Sequence, residues 1–214
     1  MFHIDKGVNP KIKTLQAILL GGGSGSGKSK VVVDVIGTDG FVVIDADEIK
    51  KVLPEYQKAV QANIPHASDI VHKESSEIAK RLFNEMVNRK ECLIYDGTMK
   101  NREKYRKLIK LLSENGYIIQ MIIVDADFKI ALERADNRYE KEGRFVSEKI
   151  IMESNKAVAK SFLDLKDDVD QYLVFNNDSN TENPKLIAYK NINEELVVLN
   201  ERLYAKFKQK AKLF

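Results

Sequence analysis

The sequence predicts an α/β protein with a mostly parallel five-stranded sheet and helices on both faces. Three observations carry that prediction. Short, continuous apolar runs recur at residues 15–20, 41–45, 93–96, 117–124 and 172–175, with the length and composition of strands buried on both sides. Between them lie longer stretches whose apolar residues recur at three and four, the period of an amphipathic helix. The first run also leads directly into Gly22-Gly23-Ser24-Gly25-Ser26-Gly27-Lys28-Ser29, the G-x-x-x-x-G-K-S loop that joins a strand to a helix. Strands that alternate with helices are joined by crossovers, which makes their sheet parallel.

The elements follow in order. Residues 1–13 are a polar lead-in, and 15–20 form the first strand. A helix runs from Lys28 to about Gly37, and Thr38-Asp39-Gly40 turns the chain into a second strand at 41–45. Residues 69–88 read as one long amphipathic helix, with Val71, Ile78, Leu82 and Met86 on its apolar face. A third strand at 93–96 precedes a helix at 101–114, which Asn115-Gly116 stops. The fourth strand is 117–124. Helices at 127–140 and 147–165 flank a charged joint containing Gly143. The fifth strand, 172–175, is followed by a polar loop at 176–184. Residues 186–189 read as a small strand of a C-terminal hairpin, and 194–212 as a final helix. No internal repeat is visible. The expectation is a single domain over 1–214, with 1–13 as lead-in and 185–214 as a strand and helix appendage.

Composition narrows the function classes. The 214 residues are 43% hydrophobic, enough for a full core. A net charge of +3 is too small to argue for nucleic acid by itself. The single cysteine, Cys92, excludes an intrachain disulfide and a cysteine zinc site. The histidines His3, His66 and His72 lack a metal-ligand spacing. There is no apolar signal core, and no apolar run approaches the ~18 residues of a membrane span. The expectation is a soluble cytoplasmic protein. Lys206, Lys208, Lys210 and Lys212, with Tyr204 and Phe207 between them, read as the solvated face of an amphipathic helix rather than a nucleic-acid patch.

The chemistry is expected at the carboxyl ends of the strands, where open α/β sheets bind ligands. The glycine loop ends the first strand. Its glycines allow close wrapping of the backbone, so that N–H groups of Gly23, Ser24, Gly25, Ser26 and Gly27 can face phosphate oxygens. Lys28 supplies a cation for β- and γ-phosphates, and the Ser29 hydroxyl can ligate Mg²⁺. No G-x-G-x-x-G dinucleotide fingerprint fits residues 21–30. A nucleoside triphosphate is the implied ligand.

The other strand ends carry Asp45-Ala46-Asp47, Asp96-Gly97-Thr98, Asp125-Ala126-Asp127 and Asn176-Asn177-Asp178. Asp125 and Asp127 read as structural, with Asp127 capping the helix behind it. Asp47 is the candidate general base and Asp45 a supporting group, beside the glycine loop. Arg134, Arg138 and Arg144 lie in or next to the charged joint, where guanidinium groups suit a transferring phosphoryl group. The alternative is a solvated helix with ion pairs to Glu133, Glu140 or Glu142.

Together these residues resemble the zeta-toxin family of P-loop kinases. The resemblance runs from Ala17 to Asn177. It rests on the glycine loop with Lys28 and Ser29, on Ile44-Asp45-Ala46-Asp47-x-x-Lys50 and on a Leu53-Pro54-Glu55-Tyr56 turn. It continues through His72-Lys73-Glu74-Ser75, Asp96-Gly97-Thr98 and the spaced Arg138 and Arg144. It implies a P-loop kinase-type fold and ATP- and Mg²⁺-dependent phosphorylation of a hydroxyl, which in characterised members belongs to UDP-N-acetylglucosamine. By the same resemblance Asp47 is the base and Asp96 and Thr98 hold the acceptor; Asp45, the supporting group, is placed with them on the substrate side. Arg138 and Arg144 contact the moving phosphate, Asn176 and Asn177 lie near the adenine, and an antitoxin is a candidate partner. Two departures concern the acceptor: characterised toxins carry Glu at the position of Asp96, and Gly-Arg where this chain has Met99-Lys100. Two other functions stay open at this point. One is a polynucleotide or nucleoside 5′-hydroxyl kinase, although no base-stacking aromatic cluster accompanies Asp96. The other is a P-loop ATPase or switch that transfers phosphate to water.

Overall fold

A computed structural model describes residues 14–62, 64, 67–142 and 146–212. β1 (Gln16–Gly21) leads through the glycine loop into α1 (Lys28–Val31), which widens into a π-helical segment over Val32–Ile36. Then come β2 (Val42–Asp45), α2 (Ala46–Val52), α3 (Pro54–Gln61), α4 (Ala67–Ile70), α5 (His72–Asn88), β3 (Leu93–Asp96), α6 (Arg102–Glu114) and β4 (Ile118–Asp125). The chain finishes with α7 (Phe128–Glu142), α8 (Glu148–Leu165), β5 (Gln171–Asn176), β6 (Lys185–Lys190), β7 (Val197–Val198) and α9 (Glu201–Lys210).

The strands form one seven-stranded sheet in the order β2-β3-β1-β4-β5-β6-β7. The five expected strands are its parallel part. β6, the small strand expected at 186–189, extends it by antiparallel pairing, and so does β7, a two-residue strand the sequence did not announce. β1 shows why the apolar runs are continuous. Ala17 and Leu19 enter the larger core with Phe83, Ile109, Phe162 and Phe207, whereas Ile18 and Leu20 enter a second core with Val31, Val32 and Phe175. Alternate residues of a strand face opposite sides, and here both sides are covered by helices. β1 lies between β3 and β4, with β2 beyond β3. The carboxyl ends of β1, β2 and β3 therefore come together, and that is where the glycine loop begins.

Several elements differ from the sequence expectation. The Asp45 carboxylate accepts the backbone N–H of Asp47 at 2.7 Å and so caps α2, a helix the apolar pattern did not announce. Pro54 is the first residue of α3, where its missing N–H costs nothing, so 53–56 opens a helix rather than a turn. The helix expected at 69–88 is divided at Val71, whose backbone leaves helical geometry at φ −106°, ψ 8°. The final helix begins at Glu201, not near 194. Asn193 turns the chain at φ 59°, Val197 and Val198 pair with Tyr189 and Ala188, and Asn200 caps α9. Among the described residues no helix is long and apolar enough to cross a membrane.

Candidate functional site

The glycine loop is gripped from outside by four side chains. The Asn177 amide donates to the Ser26 carbonyl at 2.8 Å. Arg134 Nη1 donates to the same oxygen at 3.2 Å and to the Gly25 carbonyl at 3.3 Å. On the other flank, Asn155 Nδ2 donates to the Ser24 carbonyl at 3.2 Å, and Ser154 Oγ accepts the Ser24 N–H at 3.1 Å. In a trans peptide C=O and N–H point in opposite directions. Holding the Ser24 and Ser26 carbonyls outward therefore turns the N–H groups of Gly25 and Gly27 toward the inner side, the arrangement an anion needs. Gly25 and Gly27 adopt φ +77° and +81°, and a Cβ on either would collide, with the Ala131 carbonyl and with the Asn177 amide respectively. The hydroxyl of Ser26 is buried without a partner among the described residues, a donor that a phosphate oxygen can satisfy.

Carboxylates crowd the opposite rim. β2 and β3 pair with Asp45 directly beside Asp96. Asp96 Oδ1 lies 4.0 Å from Lys28 Nζ, and both side chains are largely buried. Burial pushes the Asp96 carboxyl up to about 6; Lys28 pulls it back, while Asp45, Asp47 and Glu48 add to the rise. Asp47, in the first turn of α2, is 46% exposed at its side chain and accepts from Lys50 Nζ at 2.8 Å. Thr98 follows Asp96 past the strand end. Its carbonyl accepts the Gly22 N–H at 3.2 Å, which ties this segment to the glycine loop. Beside it a cleft of about 690 Å³ runs between Lys100, Asn101 and Arg102 on one side and Ser154, Ala157 and Lys160 on the other.

The structure thus brings Lys28, Asp45, Asp47, Asp96 and Thr98 to one side of the loop formed by Gly23, Ser24, Gly25, Ser26 and Gly27. Ser29 is exposed in the first turn of α1. Asn176 and Asn177 are buried at the end of β5, and Asn177 is engaged with the loop itself. Arg138 is exposed on α7, one turn beyond Arg134. Gly143, Arg144 and His66 lie outside the described residues. Asp125 is buried and paired with Lys210 at 2.6 Å, and Asp127 pairs with Lys206 at 2.6 Å while accepting the Lys129 N–H. Both aspartates are structural, as expected, but two of the lysines read as a solvated face are their partners, Lys210 tying α9 to the end of β4 and Lys206 tying it to the residue before α7.

Ser154 and Asn155 were not singled out by sequence reasoning, and Lys50 entered only as the last residue of the Asp45-x-Asp47-x-x-Lys50 motif, without a role. A signal for the first two exists. Ile151, Ser154, Asn155, Val158, Ala159 and Phe162 share the buried face of α8, so two polar residues occupy core positions.

Known proteins share this architecture. A model of the family described as Zeta toxin matches residues 3–183. Toxin PezT of Streptococcus pneumoniae serotype 4 (strain ATCC BAA-334 / TIGR4) is 24% identical over 110 residues, which is 50% of this chain and 44% of PezT. Among solved structures, the AvrRxo1-ORF1:-ORF2 complex gives a TM-score of 0.75 at 19% identity, over 91% of this chain and 64% of that one. The same pair with ATP gives 0.74 at 19% identity, over 92% and 64%. The PezAT toxin-antitoxin system of Streptococcus pneumoniae gives 0.65 at 16% identity, over 94% and 86%. The match thus spans under half the length of PezT and just under two thirds of the AvrRxo1-ORF1:-ORF2 chain, and the structural likenesses show a common fold.

Proposed function

The chain belongs to the zeta-toxin family, and on that premise we propose that it is an ATP- and Mg²⁺-dependent phosphotransferase. It moves the γ-phosphate to a hydroxyl of a small molecule, most suitably a nucleotide sugar such as UDP-N-acetylglucosamine. The observation that carries this reading is the placement of a preformed glycine loop and Lys28 against carboxylates from two neighbouring strand ends, with Asp96 at 4.0 Å from Lys28. Such a rim suits a neutral hydroxyl, which it can hold and deprotonate, beside a cradle that suits phosphate.

In this reading the N–H groups of Gly25 and Gly27, the Ser26 hydroxyl and Lys28 bind the β- and γ-phosphates, while the Ser24 N–H stays on Ser154 Oγ. Ser29 would hold Mg²⁺, which supplies charge neutralisation between those phosphates. Asp45, Asp96 and Thr98 face the acceptor. Asp47 takes the proton of the acceptor hydroxyl as its oxygen bonds to the γ-phosphorus. The bond from that phosphorus to the β-phosphate oxygen breaks, and its electron pair leaves on ADP. Arg138 and Arg144 neutralise the transferring group, and Asn176 and Asn177 mark the adenine end. The similar AvrRxo1 pair binds ATP by its own description. It and PezAT are two-component assemblies, which supports an antitoxin as partner here.

Asp96 also favours a second reading. It ends the strand next to β1, where P-loop ATPases keep the carboxylate that serves their metal, so transfer to water is the competing outcome. Incubation with γ-labelled ATP and a panel of UDP-sugars, nucleosides and oligonucleotides decides between them. Label on a UDP-sugar supports the proposal. Label only in inorganic phosphate, or only on a nucleic-acid 5′ end, overturns it.

A further inference from the structure

Lys50 is a lysine that is 5% exposed on a seven-residue surface helix. Burying an ammonium is costly unless it is paired and hydrogen-bonded. Its Nζ donates to Asp47 Oδ1 at 2.8 Å and to Ser68 Oγ of α4 at 3.0 Å. The neighbouring Lys51 makes an ion pair of the same three-residue spacing with Glu48, but that pair lies in solvent. The pair that includes Asp47 is drawn into the protein and braced by Ser68 from a second helix. Asp47 is also fixed from its backbone, whose N–H donates to Asp45 Oδ1 at 2.7 Å.

We propose that Lys50 is the positioning residue for the Asp47 carboxylate. The inference rests on the reading of Asp47 as the proton acceptor and adds a part that reading does not contain. Asp47 is half-exposed, as a group that meets a diffusing acceptor must be, and an exposed carboxylate on a helix end samples several rotamers. The buried ammonium, itself held by Ser68, pins one carboxylate oxygen and removes that freedom. The Lys50 ammonium is committed to Asp47 and Ser68. Its effect passes through Asp47, so it belongs to the rate of transfer and not to nucleotide affinity.

A double-mutant cycle on the full chain tests this. ADP formation from ATP is followed with UDP-N-acetylglucosamine present, which counts transfer to sugar and to water alike, and ATP affinity is titrated separately. Asp47→Asn should lower kcat by roughly 10²–10⁴. Lys50→Met should lower it by about 10–10², the scale of a misplaced catalytic group, with the ATP Kd within about twofold of the parent. Lys50→Gln, which keeps a donor and disturbs folding less, should fall between Lys50→Met and the parent. The decisive value is the double variant: Lys50→Met added to Asp47→Asn should cause no further loss. Losses that multiply, or parent-like kcat in Lys50→Met and Lys50→Gln, overturn the role of Lys50 and leave Asp47 as the base. Parent-like kcat in Asp47→Asn overturns the base assignment itself, and the inference with it.

Discussion

Arg134 holds the carbonyl of Ser26 at 3.2 Å across more than a hundred residues of sequence. The same guanidinium donates to Asn180 Oδ1 at 2.8 Å and to the Ser179 carbonyl at 2.7 Å. One side chain therefore ties the glycine loop to the segment after β5. This favours an effect on binding rather than on chemistry. Arg134→Ala should weaken ATP affinity by about tenfold, the lower end of what a charged hydrogen bond contributes at a partly exposed site, with a smaller change in kcat. Arg134→Lys should restore little, because an ammonium cannot span the five acceptors that the guanidinium reaches. Titration with ATP and steady-state rates give the split directly; a loss confined to kcat would show that Arg134 acts on the transferring group instead.

Arg138 should show the opposite split. Charge builds on the transferring phosphoryl group only during transfer, so a guanidinium aimed there lowers the barrier more than it tightens ATP. Arg138→Ala and Arg144→Ala should each lower kcat and kcat/KM by similar large factors. Small and equal effects at 134, 138 and 144 would instead describe a solvated charged helix and withdraw the arginines from the site.

Lys28→Ala should abolish transfer while the fold persists. Lys28 lies on the loop rather than in either apolar core, so its loss removes the cation without opening a cavity. Circular dichroism and a thermal melt check the fold, and a labelled-ATP assay checks activity. Turnover near the parent rate would end the assignment.

Asp96 carries a pH-dependent stability cost. Its carboxyl is raised by burial from 3.8 to about 6. The native state therefore holds a proton that the unfolded state has released between those values, and stability falls as pH rises through that window. Asp96→Asn removes the cost. It should stabilise the protein at pH 7 by on the order of 2 kcal/mol, with the gain shrinking toward pH 4, while transfer to the acceptor is impaired. Melting temperatures of parent and variant across pH 4–8 test this; a gain that does not change with pH would assign it to packing.

How much of this was legible in the sequence depended on the signal each part leaves. The glycine loop and the parallel strands were plain, because one is a spacing and the others are apolar runs. α2 was not, since Ala46–Val52 is mostly charged and its cap, Asp45, looked like a site residue; it remains at the rim and also caps the helix. β7 is two residues long and is defined by its pairing with β6, which no local pattern encodes. The grip on the glycine loop was hidden for a similar reason. Ser154 and Asn155 lie about 130 positions from Ser24, and their purpose appears only when α8 packs beside the loop. The role of the C-terminal lysines was hidden too, because a count of charges does not show which of them meet a carboxylate.

Those lysines yield the last prediction. Lys210 Nζ donates to Asp125 Oδ1 and to the Ala126 carbonyl, both at 2.6 Å, and both partners of the ion pair are largely buried. Burial already raises the Asp125 carboxyl, while Lys210 opposes the rise. Removing Lys210 strands that carboxylate in the protein, which costs about 3 kcal/mol by the precedent of broken buried pairs. Lys206, half-exposed against Asp127, and Lys208, 4.8 Å over the Tyr204 ring, sit where such contacts contribute about 1 kcal/mol or less. Lys210→Ala should therefore lower the melting temperature at pH 7 by roughly 6–12 °C for a chain of this size, and Lys206→Ala or Lys208→Ala by a few degrees at most. The penalty should shrink as pH falls, because Asp125 escapes it by taking up a proton. The damage should also reach the site: the Asp125 carbonyl accepts the Asn177 N–H at 2.8 Å, and Asn177 in turn holds the Ser26 carbonyl. Lys210→Ala should thus weaken ATP binding where Lys208→Ala does not. Equal melting temperatures for all three variants would mean that α9 is held by Tyr204 and Phe207 in the core, with its ion pairs adding nothing.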